Sequence, residues 1–307
     1  MVKTERGRQT HRVTSSHDTF LSDVEPLRRE LKAHCYRMSG SVAEAEDLVQ
    51  ETLIKAWKGL PAFEGRSSLR RWLYTVATRT CLDALESKQG RMLQSGPAHD
   101  PSLPPPPPSE EAWLEPFPDA ELPEVEPGPE ARYTQRESVA LAFLTALQLL
   151  PAKQRAVLLL RDVLGYPAAE CAELLELSVP SVNSALQRAR ETLATKEAPP
   201  SPPDSTLKAL LDKYVAAWAN ADASQLLALL QDEAIAAMPP FPVWLRGAGA
   251  IADFLGRFVM RAPLELRPAA FNGQPAFECF AGGRRVALHV LTVREGRIAR
   301  LDAFAAG

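Results

Sequence analysis

Ser181, Asn183, Ser184, Gln187, Arg188 and Arg190 share one side of the segment 180–194, opposite Val179, Val182, Leu186, Ala189 and Leu193. Carboxamides can pair with the edge of adenine, and guanidiniums with guanine or phosphate, so this spacing fits a helix laid in a DNA major groove. Other chemistry has much weaker support. His11, His17, His34, His99 and His289 lack the i, i+4 spacing that puts two metal ligands on one helix face. Cys35, Cys81, Cys171 and Cys279 form no Cys-x-x-Cys pair, which argues against a zinc site or a disulfide framework. No metal and no cofactor is expected.

The segment 180–194 needs a partner to present it. A shorter helix over 168–175 precedes it, separated by Glu176-Leu177-Ser178, which is helix-turn-helix spacing with Ser178 placed to cap the second helix. Upstream lie apolar stretches at 139–150 and 154–164, broken by Pro151 and by Gly165-Tyr166-Pro167. Nearer the N-terminus, Ala45, Leu48, Val49, Thr52, Leu53, Ala56 and Trp57 recur with helical period, and the other face shows Asp47, Gln50, Glu51 and Ile54. A second helix over 68–86 presents Leu69, Trp72, Leu73, Val76, Ala77, Thr80 and Leu85, with Ser67 or Ser68 as its cap. Trp72 reads as core.

Proline divides the chain. Twelve prolines between Pro97 and Pro129 exclude helix and sheet interiors there, and a shorter run at 198–203 separates a C-terminal segment. The expected organisation is a disordered leader 1–17, a helical module 18–90, an acidic linker 91–133, a helix-turn-helix module 134–197, a linker 198–203 and a last domain 204–307. Residues 1–90 carry 15 basic and 12 acidic groups, and residues 91–136 carry 3 and 9. A chain with net charge −3 cannot hold DNA by counterion release alone, so a partner must supply affinity. The apolar stretch 139–152 is well short of the roughly 20 residues a membrane span needs. The polar first residues lack the apolar block of a secretory signal. No membrane association and a cytoplasmic location are expected.

These blocks resemble an extracytoplasmic-function (ECF) sigma factor of the sigma-70 family. Sigma region 2 is carried by Ala45 to Trp57, Phe63-Glu64-Gly65 and Leu69 to Tyr74, and region 4 by Leu150 to Arg155 and Val182 to Arg190. The resemblance implies binding to core RNA polymerase through the β′ clamp helices and the β flap, and to promoter DNA. Asp47, Gln50, Glu51 and Ile54 would meet the clamp helices. Phe63, Arg66, Ser67, Arg70, Arg71, Tyr74 and Arg79 would meet the minus-10 element, arginines on phosphates and aromatics on unstacked bases. The outward side of 180–194 would meet the minus-35 element. Arg79 stands where many members carry asparagine, and Val182-Asn183-Ser184-Ala185 stands where Val-Lys-Ser-Arg is common.

From Asp204 onward the pattern is α+β. An amphipathic helix (Leu207, Leu210, Leu211, Tyr214, Val215, Trp218) and a second near 225–230 precede strands at 275–280, 286–293 and 298–304, the last two joined by Arg294-Glu295-Gly296-Arg297 as a hairpin turn. This resembles the SnoaL-like (NTF2-like) cone, through Met238-Pro239-Pro240, Trp244, Gly247, Ile251, Phe254 and the terminal hairpin. The fold class is therefore multidomain: two all-α modules and an α+β cone. That cone implies a pocket lined by Trp244, His289 and Asp302 and open to a small-molecule ligand. The linker's Trp113-Leu114-Glu115-Pro116-Phe117-Pro118-Asp119 resembles a linker motif of sigma factors with this appended domain, so Trp113, Leu114 and Phe117 are expected to dock and restrain the modules. Three functions compete: a non-enzymatic sigma factor regulated in cis, with a separate anti-sigma protein left open; a stand-alone helix-turn-helix regulator; and a DNA-binding unit fused to a SnoaL-like isomerase or cyclase using Asp302 or His289 as base.

Overall fold

The computed structural model describes residues 18–63, 65, 67–86, 90, 91, 97–110, 112–124, 131–194 and 204–306. The leader, Arg66 and the linker 198–203 lie outside them. The chain forms two compact units: Met1–Gln89 with Glu121–Arg132 and Pro151–Arg188, and Gly90–Ala120 with Tyr133–Leu150 and Ala189–Gly307. Its helices are α1 (Arg28–Ser39), α2 (Val42–Gly59), α3 (Leu69–Leu85), α4 (Leu141–Gln148), α5 (Ala152–Leu158, continued by a π turn Leu159–Val163), α6 (Ala168–Leu175), α7 (Val179–Ala194), α8 (Asp204–Ala219), α9 (Ala223–Leu227) and α10 (Ala248–Phe254).

In the first unit α1, α2 and α3 pack as a bundle. The Ser41 side chain accepts from the Glu44 N–H and starts α2 three residues before the apolar period begins, and the Ser68 side chain caps α3 by accepting from the Arg71 N–H. Ala45, Leu48, Val49, Thr52, Leu53 and Ala56 are buried, the face the period predicts. Glu176, in a left-handed conformation at φ 55°, ends α6, and Ser178 accepts from the Ser181 N–H at 3.2 Å to open α7. Val182, Leu186, Ala189 and Leu193 are buried. Val179, expected inward, is 39% exposed; as the first residue of α7 it lies ahead of the stripe that packs.

The second unit is built on one sheet of order β2-β1-β6-β5-β4-β3: β1 (Leu230–Met238), β2 (Phe241–Arg246), β3 (Glu265–Phe271), β4 (Gln274–Ala281), β5 (Arg284–Arg294) and β6 (Arg297–Ala305). β1 and β6 run parallel and the other pairs antiparallel. Glu295 and Gly296, both at positive φ, make the predicted turn between β5 and β6. Asn272 and Gly273, also at positive φ, make another between β3 and β4. Registry then sorts the side chains by face. Phe277, His289 and Ala303 align across β4, β5 and β6 on the inner face, against Tyr214 and Trp218 of α8. Leu288, Val290, Asp302 and Phe304 take the outer face. With α8 to α10 on its inner side, the sheet is the cone expected from the sequence.

Much of that outer face is kept from water. The linker crosses it as a strap. The His99 N–H donates to the Trp244 carbonyl at 2.8 Å and the Ser109 N–H to the Pro240 carbonyl at 2.9 Å, which fixes one end near β2. Pro118 bridges Phe271 in antiparallel fashion and fixes the other end at β3. α4 is held there too, because the Leu141 N–H donates to the Gln274 side chain at 2.9 Å. Residues 134–150, expected to join the helix-turn-helix, thus cluster with the last domain.

Candidate functional site

On α2, Asp47, Gln50 and Glu51 are exposed, and Ile54 is 55% exposed in their midst. Glu51 is engaged by Lys55 at 2.9 Å, an exposed pair one turn away that leaves the face acidic. The face offers carboxylates around an apolar centre, a pattern that suits a basic protein surface.

α3 carries the arginines, and each meets a carboxylate. Arg70 Nε donates to Glu30 of α1 at 2.6 Å, Arg71 pairs with Glu170 of α6, and Arg79 pairs with Glu176 at 2.9 Å while its Nε reaches the Leu174 carbonyl at 3.3 Å. Sequence reasoning does not single out Glu30, Glu170 or Glu176. Nothing in their spacing connects α3 to α6, and only folding does. The pairs of Arg71 and Arg79 are part-exposed, worth at most about 1 kcal/mol each and screened by salt, so phosphate can displace them; Glu30 is buried and also takes the Tyr74 hydroxyl, so Arg70 stays bound to it. Changing Glu170 and Glu176 to Gln is expected to raise affinity for a single-stranded promoter oligonucleotide about fivefold. Glu173→Gln, an exposed acid on the same helix, measures what the change of charge alone contributes.

Aromatic placement corrects one expectation. Tyr74 is 2% exposed and its hydroxyl donates to Glu30 at 3.1 Å. The buried stripe Leu73, Tyr74, Ala77, Thr78 and Cys81 turns it into the bundle, away from any base. Phe63 remains half-buried on Trp72, ring centroids 4.8 Å apart and nearly parallel. Ser67 is half-buried.

On α7, Ser181, Asn183, Ser184, Gln187 and Arg188 are exposed on one side and Arg190 is half-buried. A helix so presented by a capped turn can enter a major groove.

The residues expected to line one pocket are divided by the sheet. His289 is on the inner face, where the Tyr214 hydroxyl lies 2.8 Å from its Nδ1 and burial holds the imidazole neutral, its pKa pushed down to about 3. Trp244 and Asp302 align through Ala237 on the outer face. Asp302 is fully buried and both its oxygens accept from Arg300 Nε at 2.9 Å. Strand period separates them, since residues 289 and 302 differ in parity across the β5–β6 register.

The linker residues are brought together. Trp113, Leu114 and Phe117 are all buried, Phe117 completely. The Phe117 N–H donates to the Asn272 side-chain oxygen and its carbonyl accepts from the Asn272 N–H, both at 2.9 Å. The same carboxamide donates to the Val139 carbonyl at 2.7 Å, and Asp119 accepts from the Gly273 N–H at 2.8 Å. Asn272 is therefore the buckle of the strap, holding it and the approach to α4 at once. The Asn-Gly pair marks a hairpin turn in the sequence, but its side-chain role does not show there.

Among the described residues, no group of three or more His, Cys, Asp or Glu is placed to hold a metal ion, and no helix is long and apolar enough to cross a membrane.

A helical bundle with an exposed acidic face, followed by a helix-turn-helix with a polar reading helix, defines a DNA-binding protein of transcription. Residues 24–91 match the family described as Sigma-70 region 2, and residues 140–193 that described as Sigma-70, region 4. The ECF RNA polymerase sigma factor SigG of Mycobacterium tuberculosis (strain H37Rv) is 44% identical over 300 residues, which span 93% of this chain and 80% of that protein. SigJ of the same strain is 29% identical over 216 residues, 69% of this chain and 62% of that protein. The crystal structure of SigJ from M. tuberculosis shares the fold, with a TM-score of 0.61 and 22% identity over 93% of this chain and 96% of that one. The chain belongs to the family of ECF RNA polymerase sigma factors.

Proposed function

We propose that this sigma factor is regulated in cis, the strap on its C-terminal domain holding it in a restrained form that is poor at initiation. The strap carries the reading: the segments 97–110 and 112–119 lie docked across the sheet from Trp244 to Asn272. Released and extended, those residues would span up to about 75 Å. Docked, they add nothing to the reach available between the module that meets the minus-10 element and the one that meets the minus-35 element. The arginines of α3, closed by the acids of α6, fit the same restrained form.

In this reading Asp47, Gln50, Glu51 and Ile54 bind the polymerase, Arg71 and Arg79 turn to the minus-10 strand once their carboxylates are displaced while Arg70 stays on the buried Glu30, and the exposed side of α7 reads the minus-35 duplex. Initiation takes place on the chromosome, which puts the chain in the cytoplasm. The C-terminal domain acts by binding its own linker and not by catalysis, a role favoured by the separation of His289 from Asp302 and by the Arg300 clamp on the latter.

Asn272→Ala tests this directly. It removes the side-chain half of the buckle and is expected to raise run-off transcription several-fold with core polymerase, at unchanged polymerase affinity. Equal transcription by variant and parent would remove the strap from the regulatory account.

A further inference from the structure

We propose that the cleft between the strap and the outer face of the sheet is a binding site for a small organic carboxylate with an apolar body. The usual place for a ligand in a cone, between helices and inner face, is filled here: Tyr214, Trp218, Ile251 and Phe254 are all buried, within one apolar cluster that includes Phe277 and Leu291. The outer face is different. Between it and the strap lies a cleft of about 440 Å³, within the range of small-molecule sites. Trp113, Leu114 and Pro116 form its strap side, and Phe271, Leu288 and Phe304 its sheet side. Pro239 and Pro240, joined by a cis peptide bond, close one end.

One donor in the lining chooses the ligand's charge. Arg285 gives one N–H, from Nη1, to Glu278 at 3.0 Å and keeps the rest of its fork, whose geometry matches a carboxylate. The opposing charge in the lining, Glu115, sits 4.0 Å from Arg91. Apolar walls with one cationic donor and a balanced acid favour a flat or short-chain body ending in a carboxylate over a sugar, a nucleotide or a cation.

A molecule that touches both strap and sheet binds the docked form alone and stabilises it by mass action. Its binding therefore lowers initiation, a coupling that rests on the restraint proposed above. Binding itself rests only on the cleft, so calorimetry and transcription fail separately.

The probe is 2-naphthoate titrated calorimetrically into the full chain, with 2-naphthalenemethanol as its uncharged counterpart. Saturable one-to-one binding of the acid is expected, with the alcohol at least several-fold weaker. Arg285→Ala is expected to weaken the acid about tenfold by removing a charge-assisted bond. Arg284→Ala, an exposed neighbour on the same turn, should leave it unchanged. Leu288→Trp fills the cleft and should abolish binding; should that variant fail to fold, the contrast between the two arginines decides. Absence of saturable binding at millimolar naphthoate, or equal affinity in Arg285→Ala and the parent chain, overturns the proposal.

Discussion

Asp47→Arg combined with Glu51→Arg is expected to abolish retention on core RNA polymerase, weakening it by about a hundredfold or more, while the chain stays folded. Both residues are exposed, and the single pair lost, Glu51 with Lys55, is an exposed one worth at most about 1 kcal/mol. Stability should therefore move by no more than about that amount. Opposite charges placed against a basic partner turn attraction into repulsion and cost several kcal/mol at such a surface. Pull-down against immobilised core enzyme reads the loss, and circular dichroism confirms the fold. The stand-alone regulator predicts a different result, because a repressor that binds duplex DNA without polymerase gains nothing from this face. Undiminished retention of the double variant would reassign the face to solvent.

Phe117→Ala is expected to lower the stability of the C-terminal unit by about 3–5 kcal/mol, the usual cost of emptying a fully enclosed phenylalanine site. Phe117 has no exposed surface, and its two backbone hydrogen bonds to Asn272 depend on the ring being seated. Urea unfolding followed by hydrogen exchange should show the loss in β3 to β6, with protection in α1 to α3 retained. A loss below about 1 kcal/mol would mean that the strap only rests on the sheet. Trp113→Ala should cost less, because that ring borders the cleft and is not wholly enclosed.

Much of this architecture is legible in the residues, and the illegible parts have physical reasons. The period from Ala45 to Ala56 survives intact because one continuous bundle core buries it. The helix-turn-helix survives because its signals are local: a Ser178 cap, an apolar stripe of helical period and a break ahead of α6. The strands β1, β2 and β3 do not show in the pattern. β1 reads Leu-Gln-Asp-Glu-Ala-Ile-Ala-Ala-Met, alanines and acids with little strand preference, and it becomes a strand because β2 and β6 flank it. The run from Val286 to Leu291 is almost continuously apolar. Such a run belongs to a strand covered on both faces, and here α8 covers one face of β5 while the strap covers the other. The placing of Trp244, His289 and Asp302 in one pocket failed for a complementary reason, because residue types suggest chemistry while parity decides the face. Tyr74 failed likewise. An aromatic on a helix next to arginines reads equally as a base-stacking group or as core, and Glu30, remote in sequence, draws it inward. The acids of α6 that meet α3 could not be read at all, since no local pattern reports a contact about a hundred residues away.

A docked strap that restrains initiation must respond to a reversible lock. Pro118 and Phe271 face each other across an antiparallel bridge, where Cα atoms lie about 4.5–5.5 Å apart, within reach of a disulfide. The native cysteines are all buried. Run-off transcription with core polymerase is measured for Pro118→Cys with Phe271→Cys, oxidised and then reduced. Little transcription is expected from the oxidised chain, with recovery to at least the parent level on reduction and the same polymerase binding in both states. Equal transcription from the locked and unlocked forms would contradict the restraint.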